Sequence, residues 1–438
     1  MIDYYRPGGA ADDQGWPLPE YEFADPRQAR QQIERAVDVP AQDRLYRLGR
    51  YTTMQVSCVQ LAGGRFTNVY DLSFAPGAAA GKVRVDRRPH SVAGFLAEAP
   101  EAIAAASGAF LYLADKGSGT PRQPALNLAL QEEGRAASLP VVDRETLVAD
   151  NMGGLSAQRL RAYGRVSING QGLNWRGSRT GHPADCTVFG NGNVAIRHVT
   201  NRQRGARKQR IRVLDEASRY TPEILPGQGL VDVGLVAGRR GRFSTGRKSG
   251  SGGLDLFAYD VVLRCDASLL SRSQDIDKIQ FQSVDSLPLD GSVQGALSVG
   301  PLLAEKDFAG NAINNDPSLG SDPPFIDVPM VRLAIYQSND EKLHVRLFDG
   351  RPESSAFKGV TPAEAVAHIY DEHQVIWGCF LDPGRTAKIV TRSAADMMSY
   401  GNAHYLQWPT NRRGRYSWVP TAGRPIPSVI TLREATAG

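Results

Sequence analysis

The sequence has few lysines and cysteines, and it has no long apolar run. Its four cysteines, Cys58, Cys186, Cys265 and Cys379, are far apart and form no CxxC pair. This spacing argues against a zinc knuckle and against a disulfide framework. We therefore expect reduced thiols, with Cys379 a small buried residue in an apolar run.

Targeting and membrane patterns are also missing. No run of about 18 apolar residues occurs, and residues 1–9 do not combine a charged start with an apolar stretch. We therefore expect a cytoplasmic protein without a membrane partner.

Lysine is scarce among the basic residues, of which 9 are Lys and 42 are Arg. The formal net charge of +5 on 438 residues is too small to create a strong overall field. An anionic partner would have to be recognised by locally placed Arg side chains. The Arg-rich tracts at 202–212 and 239–248 contain only Phe243 for base stacking, so nucleic-acid binding is the least favoured interpretation.

The composition divides the chain into an N-terminal arm, residues 1–48, and a single domain, residues 49–438. The arm is rich in Pro, Asp, Gln and Arg, whereas short β-like runs begin at Tyr51. An Arg/Gly/Ser segment near 237–254 predicts a flexible insertion. Helical patterns cover 92–95 and the Ala-rich stretch 98–106, and a buried strand is predicted at 108–113.

The C-terminal third has the clearest pattern. Two alternating runs, 331–336 and 343–348, predict a strand pair. Thr361 to Glu364 forms a capping box with Pro at the first helical position. The apolar run 375–381 then predicts a buried strand that ends in the polar turn 382–386, which is a common place for chemistry.

Several short motifs in this region occur in the order found in the phosphodiester glycosidase family. They are Val-Arg-Leu-Ala at 331–334, Asp-Gly-Arg at 349–351, Gly-Val-Thr-Pro-Ala-Glu at 359–364, Leu-Asp-Pro-Gly-Arg-Thr at 381–386 and Gly-Arg-Pro-Ile at 423–426. Upstream, Ser-Gly-Ala-Phe at 107–110 and Gly-Pro-Leu-Leu at 300–303 resemble two further family segments. The chain departs from the family in two places: Ser107 stands where the family has Asn, and 382–386 replaces Asp-Gly-Gly-Gly-Ser.

The resemblance implies an α+β fold, strand-rich, with mixed sheets and a few packed helices. It also implies a carbohydrate-active enzyme that acts at the anomeric carbon of a phosphorylated or nucleotide-linked sugar. Hydrolysis follows from the family, and the altered turn also allows transfer or cyclisation in biosynthesis. The alternatives are a non-catalytic sugar-phosphate-binding protein on the same scaffold, and nucleic-acid binding through the Arg-rich loops.

The candidate catalytic residues are Asp382 and His404. Asp382 could supply a carboxylate for acid, base or electrostatic work, or it could simply cap its turn. His404 could move a proton, or it could be an ordinary surface or packed histidine.

The candidate substrate and phosphate ligands lie around the same motifs. Guanidinium groups grip two phosphate oxygens at once, and Arg332 also interrupts an apolar strand. Gly384 would let a backbone N–H approach an anion. The complete set is Arg332, Arg385, Arg424, Gly384, Thr386, Ser107 and Gly108.

The sequence predicts no metal site and no cofactor, although a divalent cation is compatible with the chemistry. His368 and His373 are five residues apart, which is the wrong spacing for a shared helical face. The acidic loop with Asp316, Asp322 and Asp327 shows no calcium-loop register. The expected partner is a small sugar phosphate or a glycan, and the oligomeric state stays open.

Overall fold

The fold was determined as a computed structural model, which describes part of the chain. The described residues are 21–23, 40–109, 127–190, 194–195, 212–214, 220–221, 223–224, 229–249, 254–255, 259–270, 279–304, 328–350, 354–393, 397–401, 405–407, 416–419 and 426–435.

Strands dominate these residues. They are β1 Tyr21–Phe23, β2 Arg44–Arg47, β3 Thr52–Gln60, β4 Phe66–Phe74, β5 Ala79–His90, β6 Ala104–Ser107, β7 Ala129–Gln131, β8 Arg135–Ser138, β9 Arg144–Asp150, β10 Leu155–Leu160, β11 Tyr163–Ile168, β12 Gln171–Gly177, β13 Cys186–Phe189, β14 Val194–Ala195, β15 Arg212–Leu214, β16 Tyr220–Thr221, β17 Glu223–Ile224, β18 Leu230–Ala237, β19 Arg242–Ser249, β20 Leu254–Asp255, β21 Val261–Asp266, β22 Ile279–Phe281, β23 Ser283–Val284, β24 Leu287–Pro288, β25 Val293–Ser298, β26 Arg332–Ser338, β27 Leu343–Phe348, β28 Val375–Phe380, β29 Ile389–Arg392, β30 Met397–Tyr400, β31 Tyr405–Gln407, β32 Tyr416–Val419 and β33 Ile426–Glu434.

Helices are few and short in the described part of the chain. The α-helices are α1 Val92–Ala97, α2 Ala267–Leu270 and α3 Pro362–Glu372, and single 3-10 turns occur at Ala62–Gly64, Glu132–Gly134 and Gly384–Thr386. None of these helices is long and apolar enough to cross a membrane.

The strands form three larger sheets and a closed barrel. One sheet has six strands in the order β2-β3-β4-β27-β26-β28, another has five in the order β30-β29-β6-β33-β5, and a third has five in the order β10-β9-β25-β7-β8. The barrel has the order β11-β12-β13-β21-β18-β19-β22. Nearly all pairings are antiparallel, with β12–β13 parallel.

The expected α+β class is therefore wrong, because the part of the chain that the structure describes is nearly all-β. The Ala-rich stretch 98–106 shows the reason. Helix α1 ends at Ala97, and the second half of this stretch becomes β6, which is fully buried between β29 and β33. Pairing with two neighbouring strands outweighs the intrinsic helix preference of Ala. Of the strand predicted at 108–113, residues 110–113 lie outside the described residues, and Gly108 and Ala109 follow β6 without belonging to a strand.

The segment predicted as a flexible insertion also differs. Residues Arg242–Ser249 form β19, which pairs with β18 and β22 and closes the barrel. Phe243 is buried in the barrel core, where its ring packs edge-on against Phe281. The register between barrel strands thus orders a sequence whose composition is typical of a loop.

The strand pair and the capped helix predicted in the C-terminal third are confirmed, but the strand predicted as buried at 375–381 is β28, an edge strand in which Ile376 is 59% exposed. Thr361 and Glu364 make both hydrogen bonds of the capping box, Pro362 opens α3, and β26 pairs with β27. Helix α3 packs on one face of the six-stranded sheet through Ala365 and Ile369. The opposite face of the six-stranded sheet shares a hydrophobic core with the five-stranded sheet that contains β6. Strand β2, which lies in the predicted N-terminal arm, is an edge strand of the six-stranded sheet.

Candidate functional site

Three neighbouring strands of the six-stranded sheet, β27, β26 and β28, begin or end close together. Phe348, the last residue of β27, lies opposite Arg332, the first residue of β26. On the other side of β26, the Leu381 amide donates to the Leu333 carbonyl at 2.8 Å. Asp349 and Asp382 therefore follow strands that flank β26 on its two sides. Two strand spacings place their backbones about 10 Å apart.

Within the turn 382–386, the carboxylate of Asp382 is hydrogen-bonded to the side chain of Thr386. Thr386 Oγ1 lies 2.6 Å from Asp382 Oδ2 and 3.1 Å from the Pro383 carbonyl. Asp382 is 8% exposed. Its carboxylate is thus oriented by the turn, which agrees with the turn-cap interpretation, and the functional role of Asp382 stays a prediction.

Gly384 shapes the turn through its backbone. Its φ is +73°, in the left-handed region that favours glycine. Its N–H donates to the Val331 carbonyl at 2.8 Å and so fastens the turn to the start of β26. This N–H is therefore already engaged, and the approach of a backbone N–H to an anion at this turn stays a prediction.

Ser107 and Gly108 fasten the same turn from the β6 side. The fully buried Ser107 hydroxyl donates to the Thr386 carbonyl and accepts from the Lys388 amide at 2.8 Å. The Gly108 carbonyl accepts from the Asp382 amide at 3.1 Å. A Cβ on Gly108 would lie 2.8 Å from the Ser428 carbonyl oxygen, so only glycine fits. These two residues position the turn, and their contact with a substrate stays a prediction.

Lys388 is a functional candidate that the sequence reasoning missed. Its side chain is 1% exposed, and Nζ has no hydrogen-bond partner among the residues that the structure describes. Burial lowers the pKa of Lys388 to about 8, and the charge of Asp349 partly opposes this effect. The signal was available, since a rare Lys is followed by the apolar residues Ile389 and Val390.

Asp349, quoted above only as part of a motif, is the second addition. It is 7% exposed, and its Oδ1 accepts from the Gly350 amide at 2.8 Å. The start of β4 fixes its backbone, because its amide donates to Asn68 O and its carbonyl accepts from Thr67 Oγ1, each at 2.8 Å. The backbone of Asp349 is therefore fixed, and its charge acts on the buried ammonium of Lys388.

Among the three predicted arginines, the structure describes the side chain of Arg332. The Arg332 guanidinium is 4% exposed and donates to the carbonyls of Val360 at 3.2 Å and Val328 at 2.9 Å. Burial lowers the pKa of Arg332, although a guanidinium remains charged in proteins. These contacts brace the loop beside β26, and phosphate binding by Arg332 stays a prediction. His404, Arg424 and the side chain of Arg385 lie outside the described residues.

A second polar cluster lies under α3. Asp71 Oδ2 is 3.1 Å from His344 Nδ1 and 2.8 Å from Arg346 Nη2, and Arg346 Nη1 pairs with Glu372 at 2.7 Å. Burial alone would raise the pKa of Asp71, but Arg346 and His344 outweigh it and hold this pKa well below its usual range.

Two catalytic interpretations of this cluster can be excluded. Asp71, His344 and His373 lie close enough to share a metal ion. However, Arg346 Nη2 is 3.2 Å from His373 Nε2, so a cation there would meet a fixed positive charge. Ser338, His344 and Asp71 also have the order of a catalytic triad, with Ser338 Oγ 3.2 Å from His344 Nε2. Ser338 is fully buried and cannot reach a substrate. The cluster stabilises the sheet under α3.

Comparison with known proteins identifies similar folds. A hypothetical protein from Synechocystis is 12% identical, with a TM-score of 0.53 over 90% of this chain and 64% of that chain. A "Putative exported protein" from Burkholderia pseudomallei K96243 is 15% identical, with a TM-score of 0.50 over 84% of this chain and 74% of that chain. The zebrafish N-acetylglucosamine-1-phosphodiester alpha-N-acetylglucosaminidase catalytic domain, auto-inhibited by pro-peptide, is 12% identical, with a TM-score of 0.36 over 95% of each chain.

These similarities are limited to architecture. The first two show the fold alone, and the chain spans 64% of the length of the Synechocystis structure. The likeness to the zebrafish domain is too weak to carry an argument. No protein-family model and no curated protein matches the chain.

Proposed function

We propose that this chain is a carbohydrate-active enzyme that acts at the anomeric carbon of a phosphorylated or nucleotide-linked sugar. The observation that carries the proposal is Lys388, a buried cation without a hydrogen bond in the described structure, two residues after a turn that presents a carboxylate. An unsatisfied buried ammonium costs folding free energy. An anionic substrate oxygen would satisfy it.

The proposed roles follow from charge. Lys388 receives a phosphate oxygen and stabilises the negative charge that develops as the phosphate departs. Because Nζ is covered in this structure, a neighbouring group has to move aside when the phosphate enters. Thr386 keeps Asp382 oriented towards the sugar, where its carboxylate stabilises the oxocarbenium-like transition state.

Asp349 supplies the second carboxylate that glycoside chemistry requires. Retaining enzymes place the two groups about 5 Å apart and inverting enzymes about 6.5–9.5 Å apart. A backbone spacing of about 10 Å across β26 is compatible with both, because each side chain can lean inwards. Hydrolysis, transfer and cyclisation then differ only in the acceptor that replaces the phosphate.

The test is turnover of sugar 1-phosphate diesters by the full chain. UDP-N-acetylglucosamine and a panel of glycosyl phosphodiesters serve as probes, with products identified by mass spectrometry. We expect Asp382→Asn to reduce kcat at least 100-fold, because the neutral amide cannot stabilise positive charge.

Asp260→Asn is the matched control. Asp260 is equally buried at 7% exposure and accepts a hydrogen bond from the Ala237 amide at 2.8 Å, but it lies in the barrel. Unchanged turnover in Asp382→Asn would remove Asp382 from the mechanism. Sugar-phosphate binding by calorimetry without any product would favour the non-catalytic binding protein instead.

A further inference from the structure

Two of the four cysteines lie directly opposite each other in the barrel. Cys186 opens β13, Cys265 lies near the end of β21, and the antiparallel register pairs them. Both are buried, at 2% and 1% exposure. Cys58 and Cys379 lie apart from this pair, on β3 and β28 of the six-stranded sheet.

The register brings the two thiols within bonding reach. Opposite residues on antiparallel strands have Cα atoms about 4.5–5.5 Å apart, and their side chains point to the same face. Disulfides need Cα atoms about 4.4–6.8 Å apart, a range that such pairs satisfy. A hydrogen bond between the two thiols and burial raise the pKa of Cys186, so the sulfur atoms already face each other.

A metal site explains the pair less well. Structural zinc needs about four ligands. Within the described residues, the metal-capable group of His, Cys, Asp and Glu is the Asp71 cluster, which includes neither thiol. The two cysteines therefore have each other as their chemical partner.

We propose that Cys186 and Cys265 form a cross-strand disulfide when the chain folds in the presence of a low-molecular-weight disulfide such as oxidised glutathione. One protein thiolate attacks the oxidant and releases one reduced thiol, which leaves a mixed disulfide. The second protein thiolate attacks the protein sulfur of that bond and releases the second reduced thiol. The protein loses two protons and two electrons, and the oxidant gains them.

Burial decides when this reaction occurs. Thiolates are the reactive species, and an apolar interior disfavours them. Exchange is therefore fastest before the barrel closes, while both cysteines are still accessible. The proposal replaces the expectation of permanently reduced thiols for this pair and leaves it in place for Cys58 and Cys379.

The test is oxidative refolding of the full chain. The protein is refolded from denaturant with a mixture of oxidised and reduced glutathione, alkylated in denaturant and mapped without reduction. We expect a linked peptide pair with Cys186 and Cys265, and alkylated Cys58 and Cys379. Alkylation of all four cysteines, or linkage to Cys58 or Cys379, would overturn the proposal.

The thermal shift gives an independent readout. The bond would tether residues across a closed loop of about 80 residues, so the oxidised protein should melt about 5 °C higher than the reduced protein. Cys58→Ser/Cys379→Ser should keep this shift, and Cys186→Ser/Cys265→Ser should lose it. The peptide map of the natural sequence decides the question if a variant fails to fold.

Discussion

At the scale of single residues, Lys388 combines a stability cost with a functional position. Its ammonium is buried without a hydrogen bond in the described structure, next to a turn whose geometry is fixed by Ser107 and Thr386. Natural proteins tolerate such groups chiefly where function needs them. Stability and activity should therefore respond in opposite directions when this lysine is replaced.

Lys388→Met should raise the free energy of unfolding at pH 7 by up to about 3 kcal/mol, because it removes a buried charge whose pKa is lowered from 10.5 to about 8. The same variant should lose turnover of sugar 1-phosphate diesters. Denaturant titration and the mass-spectrometric assay measure the two effects. Lys342→Met, which removes an exposed lysine paired with Asp340, should change neither quantity by much. Reduced stability together with full activity would contradict the assigned role.

The stability difference should also depend on pH. Between about pH 8 and pH 10.5, the unfolded chain keeps the Lys388 proton and the folded chain has lost it. The stability of the natural protein therefore rises with pH through this window. The advantage of Lys388→Met should be constant below pH 8, shrink above it and level off above pH 10.5. A gap that stays constant up to pH 11 in denaturant titrations would contradict a buried, depressed lysine.

At the scale of elements, two positions beside the site require glycine for different reasons, Gly384 for its backbone conformation and Gly108 for lack of space. One alanine substitution at each position distinguishes the two causes. Gly384→Ala meets open space, with Met330 Sδ 3.8 Å away, and should cost about 1–2 kcal/mol through its positive φ alone. Gly108→Ala forces a Cβ against the Ser428 backbone and should cost about 3 kcal/mol. Denaturant titration gives both values. Equal costs would mean that the strand ends are less tightly packed than described.

Local sequence patterns predicted elements well only where local interactions decide the structure. Helix α3 follows from its capping box, since Thr361 and Glu364 interact within one turn. Strand β6 does not, because its alanines become a strand only through pairing with β29 and β33. Strand β19 is likewise ordered by its barrel neighbours. The candidate site shows the same division. The turn at 382–386 is a local structure that the sequence could predict, whereas the position of Lys388 relative to Asp349 depends on how two sheets pack.

At the scale of the whole molecule, the site depends on contacts between distant parts of the chain. The hydrogen bonds of Ser107 to Thr386 and to Lys388 span sequence separations of 279 and 281 residues. Gly108 contacts Ser428, near the end of the described chain. Such long-range pairings form slowly, because loop closure must precede them. These hydrogen bonds of Ser107 can thus form only after the intervening sheets and barrel have been synthesised. Under the proposed function, activity reports complete folding of the chain, and nascent or truncated chains are inactive without any separate inhibitor.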